Sequence, residues 1–289
     1  MNNDYIIYTD ASADVDLSVS QSEDIGFVEM PCESDGKIFV CTGTDDDAKI
    51  KRFYADIRTG DLPKTTQITP FQYEEIFEPL LAQGKSVLYL SLSSGLSSTF
   101  ESAKLAAETL NAKYENAKFY PIDSIAATGG LGIIVERMIQ NRNKGLTVEE
   151  NRDDLEQFKH RHYTTCYVDD LKHLHRGGRI GAATAAIGSV LKIKPIIRIM
   201  DDGTIANIDK CRGERKAIAY LAEMYAKMCD TSVDAPVYVS DADNAELAEM
   251  LAEEVKKINP NAVIRRRMLS PIIGTHLGPE SVLIAFVRK

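Results

Sequence analysis

The alternation of apolar and polar residues is clearest between residues 86 and 110. Ser86–Leu92 contains a short unbroken apolar run, as expected of a strand buried on both faces in a parallel sheet. After a polar segment, apolar residues recur at steps of three and four, which predicts a helix with one buried face. This stripe consists of Leu96, Phe100, Ala103, Ala107 and Leu110. Ser98 and Glu101 have the spacing of a capping box, so the helix is predicted to begin near Ser98.

The segment between this strand and this helix is rich in hydroxyl groups. It contains Ser93, Ser94, Gly95, Ser97, Ser98 and Thr99. A turn in this position brings free backbone N–H groups and O–H donors to the carboxyl end of a sheet, where anions are bound. One or two of the serines are expected only to cap the helix. A cap does not need five hydroxyls, so the pattern favours a ligand site.

Strand and helix patterns alternate along the rest of the chain, which indicates an α/β fold. Predicted strands are Tyr5–Asp10, Gly26–Met30, Lys37–Val40, Lys118–Asp123, Thr164–Val168, Pro195–Met200, Thr204–Asp209, Pro236–Ser240, Ala262–Arg266 and Ser281–Val287. Predicted helices are Ala48–Thr59, Pro70–Gln83, Ile125–Arg142, Val148–Lys159, Arg212–Cys229 and Asn244–Ile258. We expect two α/β domains, residues 1–160 with a mainly parallel sheet and residues 161–289 with a mixed sheet.

Composition and charge narrow the class of protein. The chain has 289 residues and is 44% hydrophobic, enough for a substantial core. A net charge of -9 argues against nucleic acid as the main partner. The most apolar window, Thr184–Met200, contains three cations and does not suit a membrane span. The first residues lack the features of a signal peptide, so we expect a cytoplasmic protein.

Cysteine and histidine spacing gives no sign of a metal site. The cysteines, Cys32, Cys41, Cys166, Cys211 and Cys229, are scattered and form no C-x-x-C pair. They are expected to be reduced and mostly buried. The H-x-H pairs at His160 and His173 would point to different faces of a helix. We therefore expect neither a metal nor a cofactor.

Three further segments could contribute to binding, and each has an ordinary alternative. Thr65 and Thr66 lie in a polar stretch that, from its residues alone, is best explained as a loop. The two glycines between Arg176 and Arg179 would let a basic loop bend around an anion, or belong to a solvated surface loop. The His276 loop is too small for packing to explain its histidine, so ligand contact and a structural role are both open.

Cations crowd the predicted start of the helix at residue 212. Arg212, Arg215 and Lys216 would all oppose the helix dipole there. The sequence leaves two explanations open, tolerated strain or a docking surface for a partner.

Stretches spread over nearly the whole chain resemble, in their order, the DegV family of bacterial lipid-binding proteins. They are Asp10–Asp14, Lys64–Gln67, Leu92–Thr99, Leu174–Ile180 and Gly274–Pro279. The resemblance implies two α/β domains with a long-chain fatty acid buried between them. It also implies that the protein is not an enzyme by itself. Instead it would present the carboxylate to the catalytic subunit of a fatty acid kinase, for acyl-phosphate formation in phospholipid synthesis.

Site residues follow from this resemblance position by position. Ser94 is the first choice for contact with the carboxylate, and His276 matches a histidine near the same head group. The full expected fatty acid site is Thr65, Thr66, Ser93, Ser94, Gly95, Ser97, Gly274, Thr275 and His276. The chain departs from the family pattern at Ile68, Ser98 and Glu280. Glu280 would oppose a carboxylate ligand unless its side chain points away.

The expected ligand has physical support. Hydroxyls and N–H groups can satisfy a carboxylate without a fully buried cation. An acyl chain gains on the order of 0.8 kcal/mol per buried CH₂. Small and apolar residues in Thr128–Ile134 and Ala182–Val190 are candidates for the tunnel wall. Kinase docking is hypothesised at Arg176, Arg179, Arg212 and Arg215. A lipid ligand also leaves room for transient contact with a membrane surface.

Three other classes of function are alternatives to a fatty acid carrier. A serine-type esterase would use Ser93 or Ser94 with His276, but the glycine of a nucleophile elbow is missing. A kinase acting alone would need a phosphate-binding P-loop, and no such motif occurs. A pure interaction protein with an empty cleft is a third reading, which a lipid-free protein unable to take up lipid would favour.

Overall fold

The computed structural model describes residues 5–34, 36–181 and 192–289. The strands are β1 Tyr5–Asp10, β2 Gly26–Val28, β3 Met30–Ser34, β4 Lys37–Cys41, β5 Lys64–Thr65, β6 Ser86–Ser91, β7 Phe119–Asp123, β8 His162–Tyr167, β9 Ile193–Ile199, β10 Ile205–Arg212, β11 Val237–Asp241, β12 Ile264–Met268 and β13 Val282–Val287. The helices are α1 Leu17–Ser22, α2 Asp47–Arg58, α3 Pro70–Ala82, α4 Thr99–Lys113, α5 Thr128–Asn143, α6 Val148–Phe158, α7 Lys172–Arg176, α8 Glu214–Met228, α9 Ala245–Ile258 and α10 Pro271–Leu277.

The strands form three sheets. The first has the order β2-β1-β6-β7 and is parallel throughout. The second has the order β10-β9-β8-β13-β11-β12, and β11 and β12 are its parallel pair. A small antiparallel sheet, β4-β3-β5, carries the short strand that contains Thr65. The predicted α/β class, with a parallel sheet first and a mixed sheet second, is confirmed. The domain boundary at residue 160 stays a prediction.

Helix α5 packs closely against the mixed sheet because its first turns carry glycines. A Cβ atom on Gly129 would lie 2.5 Å from Cβ of Tyr238, and one on Gly130 would lie 2.1 Å from Oγ1 of Thr164. Gly129 and Gly130 therefore allow the buried helix α5 to pack closely against β11 and β8, the strands that contain Tyr238 and Thr164.

Several predicted helix starts have the expected chemistry. Thr69 caps α3 through a complete capping box with Gln72, and Pro70 occupies the first helical position. The predicted capping box at Ser98 is wrong, because Ser98 makes no side-chain cap in the described chain. The backbone N–H of Thr99 donates instead to the hydroxyl of Ser97, at 3.2 Å.

Three segments differ from their predicted structure. The basic segment after Leu171 begins with the short helix α7 rather than continuing as a loop. Arg212 ends β10, so it does not belong to the first turn of α8. His276 lies in α10, which starts with Pro271 at its first position. Two glycines around His276 suggested a loop, but α10 continues to Leu277, and Gly278, whose φ is 72°, follows it as the C-cap.

Candidate functional site

A cavity of about 570 Å³ lies where the hydroxyl-rich turn meets the mixed sheet and α10. Its apolar wall includes Met30, Leu92, Leu96, Ala127, Leu174, Ile197, Ile199, Ile205, Ile272, Ile273, Leu277 and Leu283. Its polar wall includes Thr65, Thr66, Gln67, Ser94, Ser97, Ser98, Thr128, Thr164, Thr165, Arg179, Arg198, Thr204 and His276. The volume is within the usual range for small-molecule sites, about 300–1,000 Å³.

The turn after β6 is held by a buried carboxyl group at the end of β1. Asp10 accepts a hydrogen bond from the backbone N–H of Leu92, at 2.7 Å, and from both the N–H and the hydroxyl of Ser12. Burial raises the pKa of Asp10 above its usual value. Because β1 and β6 are parallel neighbours, their carboxyl ends meet, and Asp10 fixes where the turn begins.

Ser93 supports the turn rather than lining the cavity. Its side chain is fully buried, and its hydroxyl donates to the carbonyl of Gly203 at 2.8 Å. The same oxygen accepts from the N–H of Gly95 at 3.1 Å. A Cβ atom on Gly95 would lie 2.7 Å from the backbone of Gly203, so glycine is needed for the two turns to cross this closely.

Ser94 lines the cavity and is hydrogen-bonded to Asp123, the last residue of β7. The hydroxyl of Ser94 donates to Oδ2 of Asp123 at 2.5 Å, and the N–H of Ser94 donates to Oδ1 at 3.1 Å. Oδ1 also accepts from the N–H of Ile125 at 2.9 Å. Asp123 was not among the predicted site residues, although the pairing of β6 with β7 brings the ends of these two strands together.

Thr65 and His276 form a pair on the cavity wall. Oγ1 of Thr65 lies 2.9 Å from Nε2 of His276. Burial, with smaller contributions from the charges of Arg179 and Arg176, lowers the pKa of His276 to about 4. The imidazole is therefore neutral near pH 7.

The surroundings of the ring determine its tautomer. Nδ1 of His276 is buried and has no hydrogen-bond partner among the described residues. A Cβ atom on Gly177 would lie only 2.2 Å from Nδ1, so the ring packs directly against the backbone there. A proton on Nδ1 would leave a buried N–H without an acceptor, which costs free energy. The positive charges of Arg179 and Arg176 also favour a lone pair over an N–H at Nδ1. Nε2 therefore carries the proton and donates to Thr65, which leaves the Thr65 hydroxyl free to donate into the cavity.

Arg179 connects the hydroxyl-rich turn to the His276 pair. Its Nε donates to the carbonyl of Leu96 at 3.0 Å, and its Nη1 donates to the carbonyl of Gly177. Arg179 also lines the cavity, so its position suits head-group binding as well as docking. Arg176, Arg212 and Arg215 are exposed and do not line the cavity. Among the described residues none of these three forms an ion pair.

Of the other predicted site residues, Thr66, Gly95 and Ser97 line the cavity, whereas Gly274 and Thr275 do not. Gly274 packs against the ring of Tyr54, and the hydroxyl of Thr275 donates to the carbonyl of Pro271 at 2.7 Å. Both residues thus support α10 from behind.

Glu280 points to a different part of the surface. Its carboxylate accepts from Arg58 at 2.6 Å, and Arg58 also binds Asp243. Because Glu280 does not line the cavity, the expected conflict with a carboxylate ligand does not arise.

Part of the cavity wall was not predicted from the sequence. Strand β8 contributes Thr164, Thr165 and Cys166, and the β9-β10 hairpin contributes Arg198 and Thr204. Their only signal was a β-rich pattern, which does not distinguish a cavity wall from an ordinary buried strand. Of the predicted tunnel segment 128–134, Thr128 lines the cavity. The other predicted segment, residues 182–190, lies outside the described residues.

The geometry does not place a serine beside the histidine. In the described chain His276 is bonded through Nε2 to Thr65, and Ser94 is bonded to Asp123. No group of three or more potential metal ligands occurs in residues 5–34, 36–181 and 192–289. A search of the same ranges found no helix with the length and apolar character needed to cross a bilayer.

A family model described as "Uncharacterised protein, DegV family" matches residues 5–289. The chain belongs to the DegV family. A DegV domain-containing protein of Clostridium perfringens is 34% identical over 285 residues, which are 98% of this chain and 97% of the relative. Neither the name of this relative nor the family description mentions a catalytic activity.

Solved DegV structures have the same fold. The Bacillus subtilis DegV, described as a fatty acid binding protein, is 28% identical with a TM-score of 0.83, and the match covers 99% of each chain. The Streptococcus pneumoniae Fatty Acid Kinase B3 protein, loaded with linoleic acid, has a TM-score of 0.86 at 18% identity. That match covers 99% of this chain and 100% of the other, and at this identity it shows the fold alone.

Proposed function

We propose that this DegV family protein binds a long-chain fatty acid in the 570 Å³ cavity, with the head group between Thr65 and Ser94. The observation that carries the proposal is the pairing of an extended apolar wall with one cluster of hydroxyls, an imidazole and a guanidinium. The Bacillus subtilis DegV, which is 28% identical and described as a fatty acid binding protein, supports it.

The contacts assign different tasks to the two parts of the ligand. Each methylene buried against the apolar wall contributes on the order of 0.8 kcal/mol, so the tail supplies most of the affinity after ordering costs. Thr65, made a donor by His276, orients the head group, and Arg179 supplies positive charge on the same wall. Ser97 and Thr66 add further hydroxyls.

Binding is tested by uptake of fatty acid into delipidated protein, measured by isothermal titration calorimetry with palmitic acid. We expect one site per chain and weaker binding in the His276→Leu variant. The Thr275→Val variant is the control, because Thr275 lies on the same helix behind the cavity. Equal affinities in all three proteins would contradict the proposed head-group position.

The second part of the proposal is that the carboxyl group is presented to a fatty acid kinase and that the protein alone has no catalytic activity. The exposed arginines Arg176, Arg212 and Arg215 form no ion pair in the described chain and are the proposed docking residues. Arg179 is assigned instead to the cavity wall, because two of its N–H groups are held by backbone carbonyls.

Docking is tested with the double variant Arg212→Glu/Arg215→Glu and a kinase catalytic subunit supplied with ATP. Acyl phosphate, trapped as the hydroxamate, should fall at least tenfold while fatty acid affinity stays constant. The control is Lys51→Glu/Lys85→Glu, which makes the same change of charge at exposed sites elsewhere. Equal loss in the two double variants, or an equal fall in fatty acid binding, would contradict the docking role.

A further inference from the structure

The two carboxylate oxygens of Asp123 accept hydrogen bonds from different kinds of donor. Oδ1 accepts from two backbone N–H groups, those of Ser94 and Ile125. Oδ2 accepts only the hydroxyl of Ser94 among the described residues, at 2.5 Å. Ile125 has a φ of 49°, which is unfavourable for a β-branched residue. The bond to Asp123 therefore helps to hold a strained segment beside Ser94.

A serine hydroxyl has one hydrogen atom and two lone pairs. The hydrogen of Ser94 is directed at Oδ2 of Asp123, so Ser94 presents lone pairs to the cavity. A carboxylate also presents only lone pairs and gains no hydrogen bond from Ser94 in this arrangement. In this structure the hydroxyl of Ser94 therefore donates to Asp123 and not into the cavity.

We propose that Asp123 is a specificity-determining residue that fixes Ser94 as a hydrogen-bond acceptor, so that the site prefers head groups able to donate. This inference rests on the proposed fatty acid site. Thr65 donates and Ser94 accepts, a pattern that matches the carbonyl and the O–H of a neutral carboxylic acid or the carbonyl and N–H of a primary amide.

Charge and hydrogen-bond polarity must be separated in any test, because charged groups surround the cavity. Asp123 disfavours an anion, while Arg179 and Arg198 on the cavity wall favour one, and His276 is neutral. Two neutral ligands of the same shape avoid this difficulty. Hexadecanamide carries an N–H donor where 2-heptadecanone carries a methyl group, and both have a carbonyl acceptor.

The decisive variant is Asp123→Asn. Its Oδ1 can keep both backbone N–H bonds, while its Nδ2 replaces Oδ2 and donates to Ser94. The hydroxyl of Ser94 is then released to donate into the cavity, which reverses its polarity. The matched control is Asp16→Asn, because Oδ1 of Asp16 accepts from the N–H and the hydroxyl of Ser18, and neither residue lines the cavity.

The measurement is the dissociation constant of each ligand, determined by calorimetry with delipidated full-length protein. In the wild type the amide should bind up to roughly tenfold more tightly than the ketone, as expected when one hydrogen bond is made or lost. In Asp123→Asn this preference should disappear or reverse, and in Asp16→Asn it should remain. In Ser94→Ala the ratio of the two dissociation constants should approach one.

A wild-type protein that binds palmitic acid but does not prefer the amide would overturn the inference and leave the fatty acid site intact. An unchanged preference in Asp123→Asn would overturn it as well. A wild type that fails to bind palmitic acid would remove the proposed function, and the inference with it.

Discussion

The Thr65–His276 pair makes the sharpest prediction about the site. Thr65→Val preserves the shape of the side chain and removes its hydroxyl. Two separate losses follow, because the hydroxyl accepts from His276 and is free to donate to the ligand. Loss of the ligand hydrogen bond should cost about 0.5–1.5 kcal/mol, roughly a two- to thirteenfold rise in dissociation constant for palmitic acid. Loss of the hydrogen bond to the partly buried imidazole should lower the free energy of unfolding by about 0.5–1.5 kcal/mol.

A double-mutant cycle checks this mechanism. His276→Leu removes the donor, so in the Thr65→Val background it should cost less stability than in the wild type. The coupling energy between the two sites should be on the order of 1 kcal/mol or more, measured by urea denaturation of the ligand-free protein. His276→Gln, which can keep an N–H near the Nε2 position, should recover part of the affinity. Additive effects in the cycle, or unchanged stability in Thr65→Val, would refute the shared hydrogen bond.

Four further predictions concern stability and the surroundings of the site. Burial lowers the pKa values of His276 and His162 to about 4, so the unfolded chain binds more protons below pH 6.5, and stability should fall as the pH drops from 6.5 to 4. The raised pKa of the buried Asp14, about 6, acts in the opposite direction over about pH 4–6, so a thermal-denaturation series should show a steeper acid loss in Asp14→Asn than in the wild type. Gly95→Ala should cost about 1–3 kcal/mol in urea denaturation, because its Cβ would meet the backbone of the facing turn, and a cost below 0.5 kcal/mol would show that this crossing is loose. Glu280→Gln should leave the affinity for palmitic acid unchanged in calorimetry, and a clear gain would place that carboxylate near the head group after all.

Local chemistry explains which parts of the fold the sequence could predict. The cap at Thr69 and the strand before the hydroxyl-rich turn depend on neighbouring residues, and both were predicted correctly. The helix that contains His276 was not predicted, because two nearby glycines are more typical of a loop. Ser270 followed by Pro271 is nevertheless a helix-start signal. Helix α4 begins next to Ser98, as the spacing predicted, but the hydroxyl that accepts from the first turn belongs to Ser97.

The site itself depends on contacts between distant parts of the chain. Ser94 and Asp123 are 29 residues apart and meet because β6 and β7 are parallel neighbours. Thr65 and His276 are 211 residues apart. Residue types alone pointed to Ser94 and His276, but only the geometry shows that the hydroxyl of Ser94 donates to Asp123 and that His276 is paired with Thr65.

Native mass spectrometry of the purified protein, followed by extraction and identification of any bound small molecule, tests the central claim most directly. The proposed function predicts one long-chain fatty acid per chain, lost when the protein is delipidated and regained on incubation with fatty acid. Protein that carries no lipid and takes up none would contradict the claim, and the cavity would then have to serve a different ligand.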